Sequence, residues 1–105
     1  MNRGDVYFYE HPEWGRRPVL VLTRAAAIPV LNRVLTASVS RTIRGIPTEV
    51  VLDEDDGMPV RCAVSLDNLG DAWKAMLTDR ITTLGPARMA AVCASLAIAV
   101  GCDQR

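Results

Sequence analysis

The sequence has little of several residue types on which enzyme chemistry often depends. It has one histidine, His11, one phenylalanine, and aromatic residues make up 5% of the chain. It has no CxxC spacing, no HxxxH pair, no glycine-rich phosphate-binding loop and no nucleophile elbow. These absences argue against zinc-finger, P-loop and α/β-hydrolase chemistry. The acidic stretch at residues 53–57 also lacks the Gly and Glu spacing of an EF-hand, so we interpret it as a solvated turn.

The three cysteines are few, odd in number and widely separated: Cys62, Cys93 and Cys102. A zinc site that combines them with His11 is conceivable, but buried reduced thiols are the preferred interpretation. We therefore predict no metal and no cofactor.

Long hydrophobic runs are also missing. The longest uncharged stretch, residues 89–102, is too short and too rich in alanine to span a bilayer. Arg3 and Asp5 interrupt the N-terminus before any apolar run, which argues against a signal peptide. We expect a cytoplasmic protein without a membrane partner.

The formal net charge is zero, but it conceals an uneven distribution. Residues 1–48 have a balance of +4, and residues 49–105 have a balance of −4. All the basic residues except Lys74 are arginines, whose planar guanidinium groups form paired hydrogen bonds to phosphate. The pattern favours an anionic ligand on the first half of the chain. A genome rich in G and C would also produce an arginine bias, and that alternative stays open.

Hydrophobic periodicity predicts short strands followed by one helix. The predicted strands are Val6–Tyr9, Val19–Thr23, Val34–Ser40, Thr48–Leu52 and Cys62–Leu66, with a further short strand within residues 79–84. A helix is predicted from Pro86 to Val100, ended by Gly101, with Met89, Val92, Cys93, Leu96 and Val100 at helical spacing. The sequence therefore predicts one domain, residues 1–105, of the mostly β (α+β) class: a small β barrel with a C-terminal α-helix.

The predicted helix carries no charge after Arg88, and its second face is almost entirely alanine. A helix that is apolar on all sides is usually buried on more than one side. We predict that a partner chain covers the second face; an exposed alanine face is the alternative.

The stretch EWGRRPVLVLTR, residues 13–24, places two arginines before a proline and an apolar run. A residue before proline is restricted to extended conformations, and Pro18 has a fixed φ. Arg17 should therefore project from a stiff base at the start of a strand. The alternative is an ordinary surface arginine in a loop.

Five segments together resemble the MazF/PemK-type toxin endoribonucleases over nearly the whole chain. They are RGDVY at residues 3–7, GRRPVLVLT at 15–23, SVSRTIRGIPTEVVL at 38–52, VSLDNL at 64–69 and LGPARMAAVCASLAIAVG at 84–101. The resemblance implies an SH3-like β barrel with a C-terminal helix, acting as a homodimer. It also implies metal-independent cleavage of single-stranded RNA by its own 2′-hydroxyl, which leaves a 2′,3′-cyclic phosphate and a 5′-hydroxyl. A cognate antitoxin would block the RNA site.

The resemblance implies three catalytic residues. Arg17, directly before the proline, would stabilise the pentavalent phosphate. Ser40, at the end of the third strand, would align a phosphoryl oxygen or the attacking group, with Ser38 or Thr42 in its place if the register differs. Asp67, in an Asp-Asn pair, would act as a base; the alternative is that this pair is simply a turn.

The predicted RNA-binding residues flank these three: His11, Trp14, Arg16, Arg41 and Arg44. Trp14 would stack on a base and the arginines would contact the backbone, while His11 would relay a proton or lie solvated in its loop. An acidic antitoxin segment should compete for the same face, formed by residues 14–17 and 40–44. Two other functions stay open: a non-catalytic toxin of the same superfamily that binds a protein such as DNA gyrase, and a plain RNA-binding SH3-like module.

Overall fold

The computed structural model describes residues 1–103 and contains one curled antiparallel sheet and one helix. The strands are β1 (Asp5–His11), β2 (Gly15–Val21), β3 (Arg33–Ser40), β4 (Glu49–Leu52), β5 (Cys62–Trp73) and β6 (Leu77–Thr83), followed by α1 (Pro86–Ala99). Their order across the sheet is β4-β5-β3-β2-β1-β6. The predicted mostly β fold with a C-terminal helix is confirmed.

Apolar side chains cover both faces of this sheet. One cluster lies between the sheet and α1 and includes Val6, Leu20, Val64 and Val92, each fully buried. A second cluster on the other face contains Val19 and Val21 together with Ile28, Val34, Ala72 and Leu77. Because successive residues of a strand point to opposite faces, the continuous apolar run of β2 supplies both clusters.

Strand β2 begins four residues earlier than predicted. Gly15 adopts a left-handed conformation, with φ of 77°, and closes a tight connection after His11. Arg16 and Arg17 therefore lie in the strand, opposite Glu10 and Tyr9 of β1. The predicted loop of residues 11–17 shrinks to residues 12–14.

Strand β5 continues to Trp73, well past its predicted end at Leu66. Ser38 pairs with Ser65 but Ala37 pairs with Leu69, so residues 66–68 form a bulge opposite β3. The bulge is anchored where the Leu66 N–H donates to the Thr48 carbonyl at 2.9 Å. Asp67 and Asn68 thus lie within a strand and not in a turn, because a bulge accommodates turn-forming residues without ending the strand.

Helix α1 ends close to its predicted position. Gly101 has φ of 75°, and the Cys102 N–H donates to the Ala97 carbonyl at 2.8 Å, closing the helix end. The buried positions, however, are Met89, Val92 and Ser95, and the Ser95 hydroxyl donates to the Pro47 carbonyl at 2.8 Å. The predicted inward placement of Cys93 and Val100 is wrong, because the buried stripe is rotated toward Ser95; both residues are exposed.

Of the three cysteines only Cys62 is buried, and Cys93 and Cys102 are exposed. Burial raises the pKa of the Cys62 thiol above its ordinary value. The prediction of buried thiols therefore holds for one of the three. Within residues 1–103, no helix has the length and apolar character needed to cross a membrane.

Candidate functional site

A cavity of about 980 Å³ opens on the sheet between the β1–β2 hairpin, β3 and the second half of β5. Most of the side chains that line it are polar or aromatic: Tyr9, His11, Trp14, Arg17, Arg33, Thr36, Ser38, Ser40, Arg41, Asn68, Asp71 and Trp73. Five of the eight predicted site residues line it: His11, Trp14, Arg17, Ser40 and Arg41.

Arg17 and Arg16 point to opposite sides of β2, as neighbouring residues in a strand must. Arg17 lines the cavity. Arg16 instead pairs with Glu10 at 2.5 Å and Asp79 at 2.8 Å, and its guanidinium lies 4.0 Å from the Phe8 ring centroid. The pKa of Arg16 is raised above its ordinary value, most of all by the hydrogen bond to Asp79 and next by the hydrogen bond to Glu10. Arg16 therefore does not line the cavity with Arg17, and its predicted contact with RNA stays a prediction.

The short β1–β2 connection is held by His11. The His11 Nδ1 accepts hydrogen bonds from the backbone N–H groups of Glu13 at 3.0 Å and Trp14 at 3.1 Å. The His11 and Trp14 rings stack at 3.9 Å with an interplanar angle of 8°. Since Nδ1 is an acceptor, the neutral ring carries its proton on Nε2. Trp14 is 66% exposed, so the loop presents a preformed aromatic surface.

Two serines of β3, Ser38 and Ser40, line the cavity from the same side of the strand. The Ser40 Oγ accepts a hydrogen bond from the Thr42 N–H at 3.1 Å. The Ser40 proton remains available to donate, because this bond uses only a lone pair of the hydroxyl. Thr42 does not line the cavity, which leaves Ser38 as the alternative to Ser40.

Besides Arg16, two predicted site residues, Asp67 and Arg44, lie outside the cavity lining. The Asp67 carboxylate accepts a hydrogen bond from the Thr48 hydroxyl at 2.5 Å. The bulge in β5 turns Asp67 away while its neighbour Asn68 lines the cavity. The backbone N–H of Arg44 donates to Glu49 at 2.8 Å. Asp67 and Arg44 therefore do not line this cavity, and their predicted roles stay predictions.

Sequence reasoning missed the cavity residues at the start of β3 and the end of β5. Arg33 pairs with Asp71 at 3.3 Å, and its guanidinium lies 5.0 Å from the Trp73 ring centroid. The predicted end of β5 at Leu66 hid this group, since nothing in the local pattern indicated a bulged strand. Within residues 1–103, no three histidine, cysteine or acidic side chains group as metal ligands.

A groove on a curled sheet that is lined by arginines, hydroxyls and aromatic rings has the chemistry that suits a polyanion. The sequence model described as PemK-like, MazF-like toxin of type II toxin-antitoxin system matches residues 2–100. The chain belongs to this family.

Curated relatives and solved structures agree. The chain is 47% identical to the probable endoribonuclease MazF5 of Mycobacterium tuberculosis, over 97% of this chain and 94% of the relative. It is 36% identical to the probable endoribonuclease MazF2 of the same species, over 97% and 100%.

Among solved structures, an endoribonuclease in complex with its cognate antitoxin from a mycobacterial species matches with a TM-score of 0.89. The two chains are 28% identical, with 100% and 99% covered. A MazE-MazF structure from Deinococcus radiodurans matches with a TM-score of 0.79 and 25% identity, over 96% and 95% of the two chains. The predicted resemblance to the MazF/PemK family is confirmed.

Proposed function

We propose that this chain is the toxin of a type II toxin–antitoxin system and a sequence-selective endoribonuclease that cuts single-stranded RNA without a metal. The observation that carries the proposal is Arg17 in the cavity. Within residues 1–103 no carboxylate pairs with Arg17, whereas the neighbouring Arg16 has two. A guanidinium without an anionic partner, beside two serine hydroxyls, is suited to a phosphate. The family match and the relatives named as endoribonucleases support the RNA as substrate.

RNA self-cleavage needs positive charge on the pentavalent phosphate and a hydrogen-bond donor to its oxygens. Arg17 supplies the charge that a metal ion supplies in other nucleases, and the Ser40 hydroxyl donates to a phosphoryl oxygen. Attack by the 2′-oxygen breaks the bond to the 5′-oxygen, so the products are a 2′,3′-cyclic phosphate and a 5′-hydroxyl. Arg41 contacts the backbone next to the cut.

The reaction also needs a proton removed from the 2′-hydroxyl and one given to the 5′-oxygen. Asp67 does not line the cavity, so we do not retain it as the base. His11 lines the cavity and has its Nδ1 fixed by two backbone N–H groups. With Nδ1 occupied as an acceptor, its Nε2–H can donate a hydrogen bond to a phosphoryl oxygen or to the 5′-oxygen, and the two protons exchange with solvent. Trp14 stacks on a neighbouring base.

Two protein partners belong to the proposal. A cognate antitoxin would cover the cavity, with carboxylates taking the place of phosphates at Arg17 and Arg41. A related endoribonuclease has been solved with its cognate antitoxin. A second copy of the chain would cover the outer face of α1, where Ala91, Ala94 and Ile98 are exposed.

The test is incubation of the purified chain with total RNA in EDTA, followed by analysis of fragment ends. New fragments with 2′,3′-cyclic phosphate and 5′-hydroxyl ends are expected. RNA retained without cutting would favour the plain RNA-binding module. If the RNA is neither retained nor cut, the result favours a toxin that acts on a protein target.

A further inference from the structure

The two tryptophans of this chain line the same cavity, and both are exposed. Trp14 is 66% exposed and stacks on His11 at the hairpin, while Trp73 is 48% exposed and lies at the end of β5. In a chain with so few aromatic residues, two exposed indoles in one groove need an explanation. The proposed function uses Trp14 and leaves Trp73 without a role.

Trp73 belongs to a cluster with Arg33 and Asp71, which we call the far cluster. Arg33 and Trp73 are cross-strand partners on β3 and β5. The Arg33 guanidinium lies 5.0 Å from the indole centroid and pairs with the Asp71 carboxylate at 3.3 Å. The cluster also borders a second cavity of about 690 Å³ on its other side, so a ligand can reach it from two directions.

The far cluster is separate from the site of cleavage. Arg33 and Ser40 are the two ends of β3, seven residues apart, and therefore roughly 23 Å apart at about 3.3 Å per residue. A group bound at Trp73 is consequently more than one nucleotide away from a phosphate at Arg17 and Ser40. Contacts there can select a sequence without touching the reacting atoms.

Stability alone gives little reason for this arrangement. The Arg33 and Asp71 side chains are 56% and 60% exposed, and ion pairs with such exposure contribute about 1 kcal/mol or less. The Trp73 indole would bury more apolar surface inside a core than at the edge of a groove.

We propose that the far cluster is a base-recognition subsite for guanine, a specificity determinant of the proposed RNA cleavage on which this inference rests. The exposed indole of Trp73 provides a stacking surface for a base. Asp71 accepts the N1–H and exocyclic N2–H of guanine. Arg33 donates to its O6 and N7 acceptors, the commonest arginine–base contact.

The same groups disfavour the other bases. Adenine presents an amino donor where Arg33 needs an acceptor, and has no N1–H for Asp71. Uracil offers one N–H donor between two carbonyl oxygens, which the carboxylate repels. Cytosine can donate one amino group to Asp71 but lacks the O6 and N7 pair. One good paired contact changes discrimination by about tenfold or more.

The test is cleavage of a long transcript of mixed sequence, with sequencing of the fragment ends to give the base preference at each position around the cut. The unmodified chain should show a guanine preference at one position that is not next to the cut bond. Asp71→Asn should reduce that preference by about tenfold. Trp73→Ala should weaken cutting at all guanine-containing sites, and Trp73→Phe should restore it.

Asp79→Asn is the matched control, since Asp79 is also an exposed carboxylate paired with an arginine, but it lies outside the cavity. It should leave the base profile unchanged. If the unmodified chain cuts RNA and shows no such guanine position, or if Asp71→Asn leaves the profile intact, the subsite is refuted and the nuclease stands. If the unmodified chain cuts no RNA, both proposals fail.

Discussion

At the scale of single residues, strand alternation separates two adjacent arginines into different roles. Arg17 lines the cavity, and Arg16 is held by Glu10 and Asp79 on the other side. A variant of Arg17 can therefore be compared with the same variant of Arg16, which is the same residue type one position away in β2.

We expect Arg17→Ala to lower the rate of RNA cleavage by about 10²–10³-fold, because one lost contact to transition-state charge costs about 2.7–4 kcal/mol. Arg16→Ala should cut at nearly the normal rate. Cleavage rates on one RNA, together with circular dichroism to verify folding, are the measurement. Equal losses in the two variants would contradict the assignment of Arg17.

Ser40 and Ser38 can be separated in the same way. Ser40→Ala should slow cleavage by about 10–150-fold, since a hydrogen bond to a charged group contributes about 1.5–3 kcal/mol. Ser38→Ala should slow it less. Both variants should unfold at the same denaturant concentration as the parent, because neither side chain is buried. A larger loss for Ser38→Ala would show that Ser38, two residues earlier in β3, is the serine that contacts the phosphate.

The site residues that sequence alone could find were those tied to local chemistry. Arg17 was identifiable from the following proline, and Trp14 and His11 from their place in a short connection. Arg33 and Trp73 were not, since they meet only because β3 and β5 pair beyond a bulge. Asp67 was assigned to the site through the resemblance of its Asp-Asn pair, and the bulge in β5 places Asn68, not Asp67, in the cavity lining.

At the scale of elements, the short turn of residues 54–56 lies between β4 and β5 and contacts both β6 and α1. Asp53 and Asp56 form reciprocal caps for this turn, and Gly57 closes it in a left-handed conformation with φ of 89°. The Thr82 hydroxyl of β6 donates to the Asp56 carbonyl at 2.8 Å, and Arg88 of α1 donates to the Asp56 carboxylate at 2.8 Å. The sequence predicted this segment as a solvated turn but gave no sign of its contacts to β6 and α1.

We expect Gly57→Ala to lower the free energy of unfolding by about 2–4 kcal/mol, combining left-handed strain with overpacking. A Cβ at Gly57 would meet the Thr82 side chain. Gly45 has a similar φ of 68° but open space around the same position. Gly45→Ala should therefore cost only about 1–2 kcal/mol. Urea denaturation of both variants measures the difference, and equal costs would show that the Thr82 contact is unimportant.

Acid should weaken the link between this turn and α1. The hydrogen bond from Arg88 holds the pKa of Asp56 below its ordinary value of 3.8. A lowered folded-state pKa contributes stability that is complete above the unfolded value and is lost as pH falls through the folded value.

Arg88→Ala should therefore lower the free energy of unfolding by about 0.5–1 kcal/mol at neutral pH. The difference from the parent should shrink as the pH falls below 3.8. Urea denaturation across this range is the measurement. Arg61→Ala, an exposed arginine nearby, should show no such convergence; a constant difference for Arg88→Ala at all pH values would contradict the Asp56 linkage.

At the scale of the whole molecule, two of the places where apolar side chains are exposed can hold a partner chain. One is the outer face of α1, where Ile98 is 40% exposed. The other borders the second cavity, where Leu31 and Leu35 are 42% and 43% exposed. A small domain with such surfaces gains stability from association.

We expect light scattering at micromolar concentration to give twice the 11.4 kDa chain mass, as the resemblance and the alanine-rich face of α1 predict. Ala94→Arg should shift the chain toward monomer, because it places a charge in the proposed interface. A monomeric parent would contradict the homodimer. A dimer that survives Ala94→Arg but is lost in Leu35→Arg would move the interface to the second cavity.

The pairing of β1 with β6 has a consequence for the order in which the sheet can form while the chain is being synthesised. β1 is made first, yet its outer edge is covered only by residues 77–83. Every residue that lines the cavity precedes β6 in the chain, but Tyr9 and His11 lie on a strand that stays uncovered until β6 has emerged. An unfinished chain therefore exposes a strand edge and cannot complete its sheet. The proposed nuclease would therefore complete its folded groove only after β6 has been made and has paired with β1.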